Sequence, residues 1–181
     1  MENFGQLASY VTDLRSIYQT SQQPVTDDEI TLHKFCVKLE TALRHEQKER
    51  YSLLGARKDY WNFISDSIPK DDGVKFVQAI PQLRTAQGKG RAFIRYSLVK
   101  GSLADAIQRC LVRKKHLSAG YGPEAILCHP SLSTALVNKV YELNEVEFDL
   151  PCAGLELDIS WPAFSRYYCK SAEVMSTNAH N

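Results

Sequence analysis

The spacing of apolar residues at the start of the chain predicts an amphipathic helix. Within the first twenty positions they recur every three or four residues, at Phe4, Leu7, Val11, Leu14 and Tyr18. This spacing places all five side chains on one face of a helix, and such a face normally packs on a protein core. The polar run 21–24, which finishes with Pro24, predicts that the helix ends there.

Residues 26–47 carry the pattern of a second helix. Thr26 and Glu29 have the spacing of a capping box, and acidic side chains in the first turn suit the helix dipole. We expect this helix to continue to about Gln47. Its predicted apolar face consists of Leu32, Phe35, Cys36, Leu39 and Leu43.

The pattern of the residues that follow predicts several shorter helices. Asp59 can cap an aromatic helix that is closed by Pro69, and a further helix is expected over 73–79. A glycine-flanked helix is expected over 88–99, and we interpret the glycines at its start as a flexible lead-in. Gly101 stops this helix.

Two more helices follow, and no segment has the alternating pattern of a strand. Ser102 and Asp105 form another capping box, and apolar residues between 132 and 143 indicate the last clear helix. The two tryptophans, Trp61 and Trp161, are expected in the core. The pattern therefore predicts an all-α fold, a single globular array of about seven to nine helices.

Length and composition fit one domain. The chain has 181 residues, of which 44% are hydrophobic and 24% charged, as in an ordinary soluble domain. We expect an N-terminal helix in 1–25 that packs on the domain, a main domain over 26–168 and a polar, flexible tail over 169–181. No apolar run is long enough to span a bilayer and no signal segment opens the chain, so we expect a cytoplasmic protein without a transmembrane segment.

The cysteines and histidines do not have the spacing of a metal site. Five of each are present, without a CxxC or HxxxH pair, so we expect free thiols, no metal and no cofactor. A phosphate-binding loop is excluded because Leu83 and Gly90 occupy the positions where that motif requires Gly and Ser or Thr. No nucleophile motif is present either. The sequence gives no indication of an enzyme.

Charge is the strongest functional indication in the residues themselves. The formal net charge of +1 argues against a nucleic-acid partner, but residues 84–116 contain nine basic side chains and only one acidic one. Within this basic segment Arg91 and Arg95 share a helix face and Lys89 lies at the start of the helix, which predicts a basic ridge. Two alternatives stay open: the basic side chains simply solvate the outer face of a core helix, or Arg91 is buried beside a carboxylate.

Four blocks of the sequence, in this order, resemble the RUN domain family. They are 32–35 (LHKF), 54–61 (LGARKDYW), 83–95 (LRTAQGKGRAFIR) and 157–164 (LDISWPAF). Within the family the chain is most similar to adaptors that join an N-terminal RUN domain to long coiled coils and a FYVE zinc finger. The resemblance implies an all-helical, non-catalytic effector module for a small GTPase of the Rab, Rap or Arf-like class.

The resemblance also implies a location and a binding surface. Such adaptors are cytoplasmic and peripheral to late endosomes, lysosomes or autophagosomes, which they link to microtubule motors and vesicle adaptor proteins. The alternative is a module that binds anionic lipid, or a motor or cytoskeletal component, without a GTPase. In some members the GTPase surface includes two groups of basic residues, and these fall here on Lys89, Arg91 and Arg95 and on Arg44, His45 and Lys48.

Overall fold

The computed structural model describes residues 2–53, 55, 57–153, 156–159 and 161, and these form an array of helices. The all-α prediction is confirmed: the described residues contain three isolated β-bridges but no strand. The predicted tail 169–181 lies outside the described residues, as do residues 162–168 of the predicted main domain. The elements are α1 (Glu2–Ser21), α2 (Ile30–Arg44), α3 (Tyr60–Ser67), α4 (Asp72–Gln78), α5 (Ala86–Val99), α6 (Leu103–Leu111), α7 (Lys114–Gly120), α8 (Pro130–Tyr141) and the 3-10 helix η1 (Glu142–Glu145).

Helix α1 packs on α2 through the apolar face that the sequence predicts. Leu7, Val11 and Leu14 are buried, and they belong to the same continuous core as Phe35 and Leu39 of α2. The three- and four-residue spacing therefore corresponds to real burial on both helices. Trp61 and Trp161 are buried in this core as well, as expected. Among the helices that the structure describes, none is both long and apolar enough to cross a bilayer.

The start of α2 differs from the prediction. The N-cap is Glu29, whose Oε1 accepts a hydrogen bond from Thr31 N at 2.9 Å, so the capping box predicted at Thr26 is wrong. Asp27, within that predicted box, is instead turned into the core. The helix also ends at Arg44 and not near Gln47, because Glu46 adopts a φ of 55°, which a helix cannot continue through.

Of the two caps predicted for the later helices, one is present in the structure and one is not. Asp59 caps α3 as predicted, since it accepts a hydrogen bond from Tyr60 N at 2.7 Å and forms a capping box with Asn62. Ser102 forms no side-chain cap on α6, so that predicted box is wrong. Helix α7 was not predicted, because its short sequence offers only one strongly apolar residue, Leu117.

The glycines of α5 are packing positions and not a flexible lead-in. The helix begins before them, with Thr85 as N-cap, and both lie inside it. A Cβ on Gly90 would stand 2.4 Å from Cζ of Tyr60, and one on Gly88 would stand 2.0 Å from Oδ1 of Asp158. The absence of a side chain therefore lets α3 and the segment after α8 approach α5 closely.

Candidate docking cleft

An open cleft of about 670 Å³ lies where the end of α2, the connection 45–59 and the start of α5 meet. The residues that line the cleft include one acidic side chain, Asp59, and five basic side chains. These are Arg44, Arg57, Lys58, Arg84 and Lys89.

Arg44 belongs to the wall of the cleft. Its Nε donates to Asp59 Oδ1 at 3.0 Å and to Oδ2 at 3.1 Å, and its guanidinium lies 5.4 Å from the centroid of the Tyr60 ring. Because Asp59 also caps α3, this ion pair joins the end of α2 to the start of α3. The charge of Arg44 is therefore largely compensated inside the protein.

None of the other four basic groups is in a buried ion pair, although the carboxylate of Asp158 lies close to Arg84. Lys58, Arg84 and Lys89 form no ion pair within the described part of the chain. Arg57 lies 3.8 Å from Glu49, but both side chains are about 70% exposed, and such a pair contributes little. The cleft consequently presents a local positive potential to an anionic partner.

Asp158 fixes the edge of the cleft formed by α5. Its carboxylate accepts hydrogen bonds from Arg84 N at 2.9 Å, from Thr85 N at 3.0 Å and from Thr85 Oγ1 at 2.6 Å. Thr85 Oγ1 in turn accepts from Gly88 N at 2.9 Å and so caps the helix. Partial burial tends to raise the pKa of Asp158, but these hydrogen bonds hold that pKa below its usual value.

The predicted basic ridge on α5 is not on the surface, because Arg91 lies in the core. Arg91 is 6% exposed, its Nε lies 3.3 Å from Glu40 Oε1 and its Nη1 donates to the carbonyl of Leu157 at 2.9 Å. Its guanidinium also lies 5.5 Å from the centroid of the Trp161 ring. The alternative interpretation, a buried arginine beside a carboxylate, is the one that the structure confirms.

Arg95 is buried even more completely. It is 2% exposed, and its two terminal nitrogens donate to the two oxygens of Asp27 at 2.7 and 2.8 Å. Its Nε donates to the carbonyl of Pro151 at 2.8 Å. Arg95 therefore holds the segment before α2 and the segment after η1 against α5, and it is corrected from a surface residue to a core residue.

Glu40 is a key residue that the sequence interpretation missed. Besides Arg91, its carboxylate accepts hydrogen bonds from Tyr60 Oη at 3.2 Å and from Trp161 Nε1 at 3.1 Å, and it lies 3.4 Å from Arg44. A signal was present: Glu40 is the one acidic residue of α2 and falls within its apolar face. A carboxylate in that position requires internal partners.

The second predicted basic group lies beside the cleft and only partly in it. His45 is exposed as the C-cap residue of α2, and it does not line the cleft. Lys48 is exposed, and its Nζ donates to the carbonyl of Ser118 at 2.8 Å. Lys48 lines an adjacent, smaller cavity of about 50 Å³. Of the six predicted site residues, the structure brings only Arg44 and Lys89 together in the cleft.

Comparison with known proteins gives one family. The family model described as "RUN domain" matches residues 34–154, about two thirds of the chain. The chain is 46% identical to human FYVE and coiled-coil domain-containing protein 1 over 164 residues, which is 88% of the chain and 11% of that protein. It is 38% identical to human RUN and FYVE domain-containing protein 4 over 183 residues, which is 95% of the chain and 32% of that protein.

A more distant relative extends the same pattern. The chain is 30% identical to human RUN and FYVE domain-containing protein 1 over 135 residues, which is 72% of the chain and 19% of that protein. The chain thus spans between about a tenth and a third of the length of these relatives.

Proposed function

The chain belongs to the RUN domain family, and we propose that it is a non-catalytic protein-interaction module that binds a small GTPase of the Rab, Rap or Arf-like class. In this proposal it serves an adaptor that connects late endosomes, lysosomes or autophagosomes with microtubule-based transport. The adaptor role rests on relatives whose names join a RUN domain to a FYVE domain, or a FYVE domain to a coiled coil.

The basic cleft is the observation that carries the proposal of a binding role. Lys58, Arg84 and Lys89 face the cleft without an ion pair among the described residues, and positive charge held in this way favours an acidic protein surface. Arg44 and Asp59 supply a fixed wall, so the cleft does not have to form on binding. A preformed site avoids part of the entropy cost of association.

The proposal assigns different roles to the predicted site residues. Lys89 makes the direct contact from α5, and His45 and Lys48 lie at the rim, where charges mainly affect the association rate. Arg44 acts by positioning the wall. Arg91 and Arg95 act only through the fold, because both are buried.

The test uses charge reversal at two cleft residues, Lys58→Glu together with Lys89→Glu. The 181-residue protein is used to capture purified Rab, Rap and Arf-like GTPases, each loaded either with a GTP analogue or with GDP. We expect the parent protein to retain one of them in the GTP-analogue form. The double variant should lose about 2 kcal/mol or more of binding free energy, close to thirtyfold in affinity.

Lys114→Glu together with Lys115→Glu is the matched control, since it changes the charge equally at two exposed residues of α7. The control variant should bind like the parent, and both variants should keep the parent melting temperature. Equal loss in the two double variants would mean that total charge and not the cleft decides binding. Capture that does not depend on the nucleotide would contradict the GTPase assignment.

A further inference from the structure

The connection between α2 and α3 contains a narrow loop that projects beside the basic cleft. Tyr51 and Arg57 form an isolated antiparallel bridge, and Lys58 N donates to the carbonyl of Arg50 at 2.8 Å. These contacts tie the two arms of the loop together at its base. Gly55, with a φ of +77°, provides a backbone conformation near the tip that other residues rarely adopt.

The described apolar side chains of this loop are exposed. Leu53 is 107% exposed and Tyr51 is 61% exposed, which makes Leu53 the most exposed large apolar residue of the part of the chain that the structure describes. The described residues leave this leucine side chain fully in water, which is unfavourable for an apolar group. The loop therefore carries an apolar tip, Tyr51 and Leu53, that the described part of the protein leaves uncovered.

Basic side chains surround this apolar tip. Arg50, Arg57 and Lys58 lie on its two arms, and Arg84 lines the same cleft as Arg57 and Lys58. Three acidic residues lie near these basic groups: Asp59 is bound to Arg44, Glu49 makes only the exposed contact with Arg57, and Asp158 accepts hydrogen bonds from the backbone of Arg84 and Thr85. The surface around the tip is thus positive on balance.

We propose that this loop docks on an anionic lipid bilayer, with Leu53 and Tyr51 in the boundary between headgroups and acyl chains and Arg50, Arg57 and Lys58 at the lipid phosphates. A bilayer accepts a fully projecting side chain without a matching pocket, whereas a protein partner would need one. Apolar insertion combined with basic charge is also the arrangement that binds anionic membrane surfaces.

This membrane contact does not depend on the proposed GTPase function. The two proposals share the basic residues on one wall of the cleft, but they differ at two positions. Leu53 serves only the membrane contact, and Lys89, on α5, serves only the GTPase contact. The two proposals can therefore fail separately.

The experiment is co-sedimentation of the 181-residue protein with vesicles. Phosphatidylcholine vesicles that contain phosphatidylserine are compared with vesicles of phosphatidylcholine alone. We expect binding to the anionic vesicles only, and a loss of about tenfold in the partition coefficient for Leu53→Ser, because the burial of about two methylene equivalents is lost. Arg57→Gln together with Lys58→Gln should lose about 25-fold at low salt, about fivefold for each cation.

Val112→Ser is the matched control for the apolar tip. Val112 is 67% exposed and precedes three basic residues, Arg113, Lys114 and Lys115, but it lies between α6 and α7 and not on the loop. This variant should bind vesicles like the parent. If Leu53→Ser binds like the parent, or if both serine variants lose binding equally, the loop is not the membrane contact.

A second measurement reads insertion directly. In Leu53→Trp the new indole should shift its fluorescence to shorter wavelength with anionic vesicles and should be quenched by brominated lipid, while the parent tryptophans are buried and serve as the background. No shift and no quenching would overturn the proposal. Leu53→Ser should still capture the nucleotide-loaded GTPase that the parent captures, which separates failure of this proposal from failure of the other.

Discussion

Replacement of Arg95 by Ala tests the corrected role of the basic residues on α5. The guanidinium is 2% exposed and makes two hydrogen bonds with Asp27, itself 4% exposed. Truncation would leave the Asp27 carboxylate buried without its counter-charge, and the carbonyl of Pro151 would lose a donor. Removal of one partner from such a buried pair costs about 3–5 kcal/mol.

That cost converts to a large change in melting temperature. For a domain of 150–250 residues, 1 kcal/mol corresponds to roughly 2–4 °C, so Arg95→Ala should melt roughly 6–20 °C below the parent. The measurement is thermal unfolding followed by far-ultraviolet circular dichroism, with urea unfolding to obtain the free energy. Lys89→Ala, on the same helix but half-exposed, is the control and should stay within about 0.5 kcal/mol.

A double-mutant cycle with Asp27 separates the ion pair from general packing. Arg95→Met combined with Asp27→Leu removes both charges, and it should recover most of the stability that Arg95→Met alone loses. The reasoning would be refuted if Arg95→Ala melted within about 2 °C of both the parent and Lys89→Ala. That result would mean that Arg95 is a surface residue after all.

Three further predictions concern single contacts. Gly90→Ala should lose about 1–3 kcal/mol in urea unfolding because its methyl group would meet the Tyr60 ring, whereas Gly5→Ala, with open space around it, should not destabilise the protein. In the folded state the pKa of Asp158 is below its usual value, so the ionised carboxylate stabilises the fold above about pH 4. This stabilisation is lost as the pH falls through the lowered pKa, and Asp158→Asn should remove this part of the pH dependence of the free energy of unfolding. Burial raises the pKa of the Cys36 thiol to about 12, so this thiol should react with a thiol reagent only after unfolding, as mass mapping of the labelled protein would show.

Helices and caps were predictable from the sequence where residues close together in the chain determine them. The apolar spacing of α1 and the cap at Asp59 depend on residues close in sequence, and both are found as expected. The start of α2 was not predictable in this way, because Asp27 has a partner 68 residues away that outweighs a local cap. Asp27 pairs with the buried guanidinium of Arg95, and leaving that charge unpaired would cost more than the local helix cap would contribute.

The sequence pointed to the region where the cleft lies, but it did not predict which side chains line the cleft. Charge count and family resemblance both pointed to the start of α5, and the cleft does lie there. The four-residue spacing of Arg91 and Arg95 shows that they share a face, but it does not say whether that face points to water or to the core. The answer depends on Glu40 and Asp27, which are 51 and 68 residues distant from their partners.

The buried arginines and the half-exposed lysine of α5 have a fixed position relative to one another on the helix. Lys89 lies two residues, or about 200° around the helix, from Arg91. It is in the first turns of α5, which border the cleft, and there it is half-exposed. Arg95, one turn further on, fixes the same rotation through Asp27. The internal ion pairs therefore set the direction in which Lys89 enters the cleft. A loss of partner binding in an Arg91 or Arg95 variant would then report a rotated or loosened α5, and only Lys89, tested alone in a protein of unchanged stability, reports a contact with the partner.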